Sequence, residues 1–238
     1  MSDSIIIALV LIGFVVIAVG MFGLVIYIGI QKRKQNEQMS ARLGFSPAAD
    51  PQPLTELFAY LYKRPLERVR LPLLAHRQGN GYKTYLFDLY EQNTIYPRQR
   101  ASLVNLEKTA FAFVSPAWNF PRIVSALYFA GEGKLAKLAN QAAEKMADAH
   151  SARVQFPHIP QLDKRYHFSV FDADPAQVSL PDDFLRILAA SPDLSLHFGR
   201  TMFTIAYAGM AGAVPTEEQA RELYRIGIRL ADLIVPRH

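Results

Sequence analysis

The sequence predicts an α+β protein, with one N-terminal transmembrane helix followed by a mixed, largely antiparallel sheet domain with amphipathic helices. Residues 5–30 contain no charged residue and no Asn, Gln, Ser, Thr or Pro. The remainder of the 238-residue chain interleaves strand-like segments, rich in aromatic and branched residues, with amphipathic segments. Because these segments do not strictly alternate, an α+β domain is favoured over a parallel α/β fold.

The apolar run is long enough to cross a membrane. At about 1.5 Å per residue a helix of this length reaches roughly 39 Å, against a hydrocarbon core of about 30 Å. A cleaved signal peptide needs a basic start and a shorter apolar stretch, whereas Asp3 is the only charged side chain before this run. Gln31-Lys32-Arg33-Lys34 follows as a stop-transfer pattern. Residues 1–34 are therefore predicted to form an uncleaved anchor with a basic flank.

The charges around this run also predict its direction. Lys32, Arg33, Lys34 and Arg42 follow the run, and no Lys or Arg precedes it. Since positive charge is retained on the cytoplasmic side, the N-terminus is expected outside and the C-terminal domain in the cytoplasm. Residues 5–30 would contact the lipid bilayer, and Lys32, Arg33 and Lys34 would contact anionic lipid.

The amino-acid composition and charge limit the kinds of site that the remaining chain can form. The absence of Cys excludes disulfides, thiolate catalysis and Cys-based zinc sites. After the apolar run, 26 basic side chains stand against 20 acidic ones (21 in the chain less Asp3), a formal net charge of +6 that suits a domain near anionic headgroups but is also ordinary for a soluble domain.

Residues 35–53 are predicted to be a juxtamembrane helix and linker, and residues 54–238 a soluble α+β domain. The helix should end at Gly44, a residue type favoured just after a helix, and the Pro-rich residues 45–53 should form the linker. In the first part of the domain we expect a helix at 54–63, strands at 82–92, 100–106 and 109–114, a helix or strand at 123–129, and a helix at 134–150.

In the second part we expect a strand at 166–171, a helix at 182–190 and a hairpin at 194–207 that turns at Gly199-Arg200. The last helix should begin at Thr216, which forms a capping box with Gln219. The strands containing Tyr85-Leu-Phe-Asp88 and Ser169-Val-Phe-Asp172 are similar, which leaves an internal duplication open.

A basic-flanked span followed by Ala41-Arg42-Leu43-Gly44-Phe45 and Phe87-Asp88-Leu89-Tyr90 resembles a family of uncharacterised bacterial single-span membrane proteins. Similarity continues through Arg165-Tyr166, Asp174-Pro175 and Leu230-Ala231-Asp232-Leu233, although Arg100-Ala101-Ser102 departs from the family's usual Gln-Thr-Val. The resemblance implies a bacterial inner-membrane location and a cytoplasmic α+β domain. It implies no activity and no site.

Two motifs suggest ligand sites but lack essential residues. Gly131-Glu-Gly133-Lys134 would need an earlier Gly where Tyr128 stands and a hydroxyl where Leu135 stands to cradle a phosphate. The acidic stretch 172–183 lacks the Gly at its sixth position and the Glu at its twelfth that a calcium loop requires. We read the first motif as a turn and the second as a loop before a helix.

No catalytic, cofactor-binding or metal-binding residue is predicted, and no cofactor. The six histidines make no i,i+3 or i,i+4 pair on a predicted helix, and no Ser lies in a Gly-x-Ser-x-Gly elbow. A site assembled only by folding would need groups such as Asp88, Asp172, His158 and His167 to meet in one cleft.

The basic run Lys63–Arg70 is read as solvated surface or as a lipid-facing patch, since no aromatic-rich RNA-binding box or DNA-reading helix accompanies it. The sequence therefore predicts a membrane-anchored cytoplasmic interaction or scaffold module with an unknown protein partner and no nucleic acid, and not an enzyme. The alternatives are a membrane-tethered enzyme with a site formed by the fold, and an accessory subunit of a membrane complex.

Overall fold

The computed structural model describes residues 20–21, 27, 31, 34–48, 50–79, 81–93, 102–128, 151–208 and 215–235. Of the predicted anchor, Gly20, Met21 and Tyr27 are helical, and the rest of residues 5–30 lies outside this part. The helix predicted at 134–150 and the glycines of 131–134 lie outside it as well. Within the described ranges, no helix combines the length and apolar character needed to span a bilayer.

The described residues contain nine strands, and all of them join one antiparallel sheet. The strands are β1 (Ser46–Pro47), β2 (Val69–Gln78), β3 (Lys83–Asn93), β4 (Ser102–Val114), β5 (Phe120–Leu127), β6 (Ala152–Val154), β7 (Tyr166–Val170), β8 (Leu194–Arg200) and β9 (Met202–Tyr207). Their order in the sheet is β1-β2-β3-β4-β9-β8-β5-β7-β6. The shortest strands, β1 and β6, form the two edges, and short edges limit pairing with other chains.

In the described part of the chain, five helices pack against this sheet. They are α1 (34–42), α2 (Gln52–Leu61), α3 (Pro160–Arg165), α4 (Asp182–Ala190) and α5 (Glu217–Ile234), with 3-10 turns at Leu66–Arg68 and Pro175–Gln177. The sequence prediction of an α+β fold with a largely antiparallel sheet and amphipathic helices is confirmed, but the sheet is not mixed, since every strand pairing in the described ranges is antiparallel. The transmembrane helix stays a prediction.

One face of the sheet is covered by α4 and α5 over an aromatic core. The rings of Phe113 and Phe203 stack with centroids 4.9 Å apart, and Phe198 and Phe184 extend the cluster. Helix α5 approaches closely because Gly227 lies over Phe113, where an added Cβ would come within 2.4 Å of the ring. Its first turn is fixed by the predicted capping box between Thr216 and Gln219.

The other face is covered by α2. Leu54, Phe58 and Leu61 of this helix are buried against a smaller apolar cluster that includes Phe87. The approach requires Gly199 on β8, since a Cβ there would lie 2.9 Å from the Tyr60 ring. Gly199 was expected in the hairpin turn, but its role is to let α2 pack on the sheet.

Helix α1 and β1 belong to the same packed unit as the sheet. Met39, Leu43 and Phe45 are buried in the larger core, and Ser46 pairs with His76 of β2. Residues 45–53, predicted as a linker, therefore contain a strand. Helix α1 ends as predicted at Gly44, whose φ is +78°. The Gly44 and Phe45 amides bond back to the carbonyls of Ala41 and Ser40, as in a Schellman motif.

Two predictions about strands were wrong in detail. The strands expected at 100–106 and 109–114 form one strand, β4, interrupted by a bulge at Thr109, which has a φ of +47°. The hairpin at 194–207 is confirmed, but Gly199 pairs with Met202, so the turn is Arg200-Thr201. Arg200 takes the positive φ, at +53°.

Several elements match their predictions and four were missed. The predicted helices at 54–63, 182–190 and after Thr216, and the strands at 82–92 and 166–171, are confirmed within two residues or so. The segment at 123–129, left open between helix and strand, contributes to β5. No element was predicted at the positions of β1, β2, β6 and α3. In β2 the pattern is broken by Pro72, where the register with β3 also shifts.

We expect Gly227→Ala to destabilise the fold, because the new methyl group would overlap the Phe113 ring in a close-packed core. The loss should be about 1–3 kcal/mol, measured by denaturant unfolding of the full chain in micelles. Arg225→Ala, at an exposed position of the same helix, is the matched control and should change stability little. An unchanged stability of Gly227→Ala would contradict the packing.

Candidate functional site

The site with most support is one end of the sheet, where the start of α1 and a basic loop lie together. We call it the α1 end, and it consists of residues 88–93 of β3, residues 69–70 of β2 and the loop 63–68. The direction of α1 shows which end of the sheet this is. The Leu43 carbonyl accepts a hydrogen bond from Arg77, which pairs with Thr84, whereas Asn36 donates to Asp88. Helix α1 thus runs antiparallel to β3, with its N-terminus towards Asn93.

The lengths agree with this direction. Seven residues of helix from Asn36 to Leu43 span roughly 10 Å, and four residues of strand from Thr84 to Asp88 span roughly 13 Å. Residues 34–36 of α1 therefore lie towards the Asn93 end of β3, at the α1 end of the sheet. Tyr27 and Gln31, both helical, are joined by a hydrogen bond of 2.9 Å.

The basic loop reaches the same end from the other face of the sheet. Helix α2 ends in a second Schellman-type turn, with the Arg64 amide bonded to the Ala59 carbonyl and Lys63 at a φ of +48°. Pro65 then stops the helix, and Leu66–Arg68 form the 3-10 turn that enters β2. The basic character of this run was evident from its residues. Its position at the end of the sheet follows only from the pairing of β2 with β3.

The charges of this loop are held at the surface by specific contacts. Arg64 forms an ion pair of 3.1 Å with Glu91, which is only 9 % exposed. The Arg70 guanidinium donates to the carbonyls of Glu67 and Val69 at 2.7 and 2.9 Å, which braces the loop. The loop 63–70 has four basic residues and one acidic residue.

Leu66 stands at the tip of the loop with 45 % of its surface exposed, which is unusual for a large apolar side chain in this protein. Arg64, Arg68 and Arg70 flank it and are exposed. A single apolar side chain among cations suits the boundary between headgroups and acyl chains, where apolar groups enter lipid and cations meet phosphate. Exposed single Leu residues are also common on soluble surfaces, and what distinguishes Leu66 is its position at the end of the sheet that the N-terminal part of α1 also reaches.

A strained, buried connection links α1 to the sheet beside this loop. Asp88 is 7 % exposed and accepts a hydrogen bond of 2.7 Å from the Thr109 amide, as well as one from Asn36. Thr109 is a fully buried, β-branched residue with positive φ, and its hydroxyl has no hydrogen-bond partner among the described residues. Such strain persists only when the surroundings impose it, and here the Asp88 carboxylate holds the bulge.

The groups considered for an enzyme site do not share a cleft. Asp88 lies on β3 and His167 on β7, with four strands between them, which separates them by roughly 24 Å. The buried His167 lies 3.3 Å from the Tyr128 hydroxyl. His158 pairs with Asp182 at 3.1 Å, and Asp172 accepts a hydrogen bond from Tyr60.

The acidic stretch 172–183 has a partner for each carboxylate. Asp174 caps the 3-10 turn through the Ala176 amide, and Asp183 lies 3.7 Å from Arg186. In the part of the chain that the structure describes, no cluster of three His, Asp or Glu side chains could hold a metal ion.

Comparison of the chain with known protein families, with curated proteins and with solved structures finds no significant match. The resemblance to uncharacterised single-span membrane proteins therefore stays a prediction from the sequence.

We expect Asp88→Ala to destabilise the protein by about 1–3 kcal/mol, because the buried Thr109 amide loses its acceptor. Asp88→Asn retains a side-chain oxygen at the same place and should cost less. Denaturant unfolding of the full chain in micelles measures both. Equal losses for the two variants would indicate that the charge of Asp88, rather than its hydrogen bond, stabilises the bulge.

Proposed function

We propose that this chain is a membrane-tethered, non-enzymatic interaction or scaffold module on the cytoplasmic side of a bacterial inner membrane, with its α1 end resting on anionic lipid. The observation that carries the proposal is the convergence of two segments distant in sequence. The N-terminus of α1, which leads back to the apolar residues 5–30, and the basic loop 63–70 lie at one end of the sheet.

This arrangement would orient the domain as well as tether it. Each Lys or Arg close to an anionic membrane surface contributes about 1 kcal/mol, and the predicted contacts of Lys32, Arg33 and Lys34 would add to those of the loop. Two separate contacts restrict rotation about the anchor, whereas the anchor alone does not. The second contact is also sensitive to salt, because screening shortens the Debye length to about 3 Å at 1 M.

The opposite end of the sheet would then face the cytoplasm. Tyr82, at the other end of β3, donates a hydrogen bond to Asp232 near the end of α5. From Tyr82 to Glu91 the strand covers roughly 30 Å. A groove between α4 and α5, with a volume of about 450 Å³, opens near Asp232 and is lined by Ile187, Leu233 and charged side chains. A protein partner would therefore meet a surface well away from the lipid.

The lipid contact can be tested with a spin label, since the chain has no Cys of its own. A nitroxide on Leu66→Cys, in full-length protein in nanodiscs, should be shielded from water-soluble relaxation agents when the lipid contains phosphatidylglycerol. Shielding should fall in phosphatidylcholine, at about 1 M salt, and in Arg68→Gln. A label on Arg186→Cys, an exposed position in the α4–α5 groove, is the control and should stay in water.

Equal accessibility of the two labels in every lipid would refute the oriented contact while leaving the anchor untouched.

The topology is tested separately by a reporter enzyme that is active only outside the membrane. Fused after His238, it should be silent, since the basic residues after the apolar run retain the C-terminal domain in the cytoplasm. The same reporter placed before the apolar run should be active. Strong activity from the C-terminal fusion would reverse the proposed orientation.

A further inference from the structure

Three cations surround two aromatic rings at the C-terminal end of α2, and none of them forms an ion pair with a described residue. The Arg122 guanidinium lies 4.1 Å and the Lys63 ammonium 4.9 Å from the centroid of the Phe171 ring. The Arg200 guanidinium lies 4.2 Å from the centroid of Tyr60. We call these three residues the cation cluster. Cations are drawn to ring faces, but a ring does not neutralise their charge.

Arg122 is the buried member of the cluster. It is 5 % exposed, and its Nε donates to the Leu61 carbonyl at the end of α2. Its Nη1 is also buried and has no hydrogen-bond partner in the described part of the chain. Burial lowers the pKa of this guanidinium, and Asp172 and Tyr60 act in the opposite direction. A buried guanidinium normally has acceptors for its N–H groups, and the described residues supply none for Nη1.

One carboxylate faces the cluster, but it bonds elsewhere. Asp172 accepts a hydrogen bond of 2.8 Å from the Tyr60 hydroxyl. Burial, and then this bond, raise the pKa of Tyr60, while Arg200 and Arg122 act to lower it. Both guanidinium groups are therefore close enough to Tyr60 to influence its ionisation. Among the described residues, Asp172 is the carboxylate whose charge acts on Arg122.

Two of these cations, Lys63 and Arg200, lie on strained backbone. Among the described residues other than glycine, only Lys63, Thr109 and Arg200 have positive φ. Glycine or Asn takes this conformation with least strain, and both Lys63 and Arg200 occupy turns where those residues are common. The turn itself does not favour a long cationic side chain at either position. Its presence at both therefore indicates a function of the side chain.

We propose that the cation cluster of Lys63, Arg122 and Arg200 binds the phosphate group of a phosphomonoester. A phosphate oxygen would give the Arg122 Nη1 its acceptor, and the two exposed cations would close over the remaining oxygens, as charge-assisted hydrogen bonds favour. Asp172 faces the same space and competes with the ligand by repulsion. The phosphate belongs either to a free metabolite or to the headgroup of a lipid such as phosphatidic acid.

This site shares Lys63 with the α1 end and is otherwise separate from it. Arg122 lies on β5, Arg200 lies on β8, and Phe171 directly follows β7. The α1 end is instead formed by β2 and β3. Lys63 is the residue at which the two surfaces adjoin. In the structure its ammonium lies over the Phe171 ring, whereas Arg64 forms the ion pair with Glu91.

Binding is measured by calorimetry of the full-length protein in phosphatidylcholine nanodiscs, titrated with inorganic phosphate and with glycerol 3-phosphate at constant ionic strength. Saturable binding with one site per chain is expected. The double variant Lys63→Gln/Arg200→Gln should weaken it about tenfold or more, because two charge-assisted contacts are lost. Asp172→Asn should tighten it several-fold by removing the competing charge. Arg186→Gln/Arg229→Gln removes the same charge at exposed positions on α4 and α5 and should leave it unchanged.

A parallel arm uses nanodiscs containing phosphatidic acid. Competition between this lipid and glycerol 3-phosphate, lost in the Lys63→Gln/Arg200→Gln variant, assigns the site to lipid as well as to free ligand. Circular dichroism of each variant verifies the fold. The absence of saturable binding in both arms, or equal weakening by the α4–α5 control pair, would overturn the proposal. The label at position 66 reports on the α1 end independently, so the failure of one proposal is distinguishable from the failure of the other.

Discussion

The structure depends on burying both faces of a single antiparallel sheet. Helices α4 and α5 cover one face, and α2, only ten residues long, covers part of the other. The packing of helix on sheet requires a glycine at the contact on each face. These glycines are Gly227 in α5 and Gly199 in β8. Helices can approach a sheet this closely only where a Cβ is missing, because side chains in a protein core leave no free volume.

The placement of α2 determines where the charged groups of the protein come together. Its C-terminal end lies over β8 and β5, so the Leu61 carbonyl meets Arg122 and the Tyr60 ring meets Arg200. A cation at the C-terminus of a helix is favoured by the helix dipole, which gives Arg122 a structural role beside the ligand-binding role proposed for it. The two roles use different nitrogens of one guanidinium.

Strain is concentrated where the sheet meets its surroundings. Positive φ at Lys63 and Arg200 brings cations to one corner of α2, and positive φ at Thr109 forms the bulge that Asp88 holds. Asp88 in turn contacts Asn36 of α1. Backbone strain of this kind costs of order 1–3 kcal/mol at each residue and persists at sites that have a use for it. Among the described residues, the non-glycine positions with positive φ therefore all lie at or next to the two proposed surfaces.

The sequence by itself determined the local features of this protein. The apolar run and its basic flank, the end of α1 at Gly44, the capping box at Thr216 and the hairpin of β8 and β9 all follow from short-range physics, such as backbone satisfaction, helix periodicity and turn geometry. The basic character of residues 63–70 was also evident.

Only the tertiary structure decided which of these features are neighbours. Strand β2 was invisible in the sequence because Pro72 breaks its pattern, yet its pairing with β3 brings the basic loop to the end of the sheet where α1 begins. Lys63, Arg122 and Arg200 are separated by more than fifty residues at each step and meet only through the packing of α2 on β5 and β8. Contacts between residues distant in sequence depend on the joint burial of many side chains, and no local pattern encodes them.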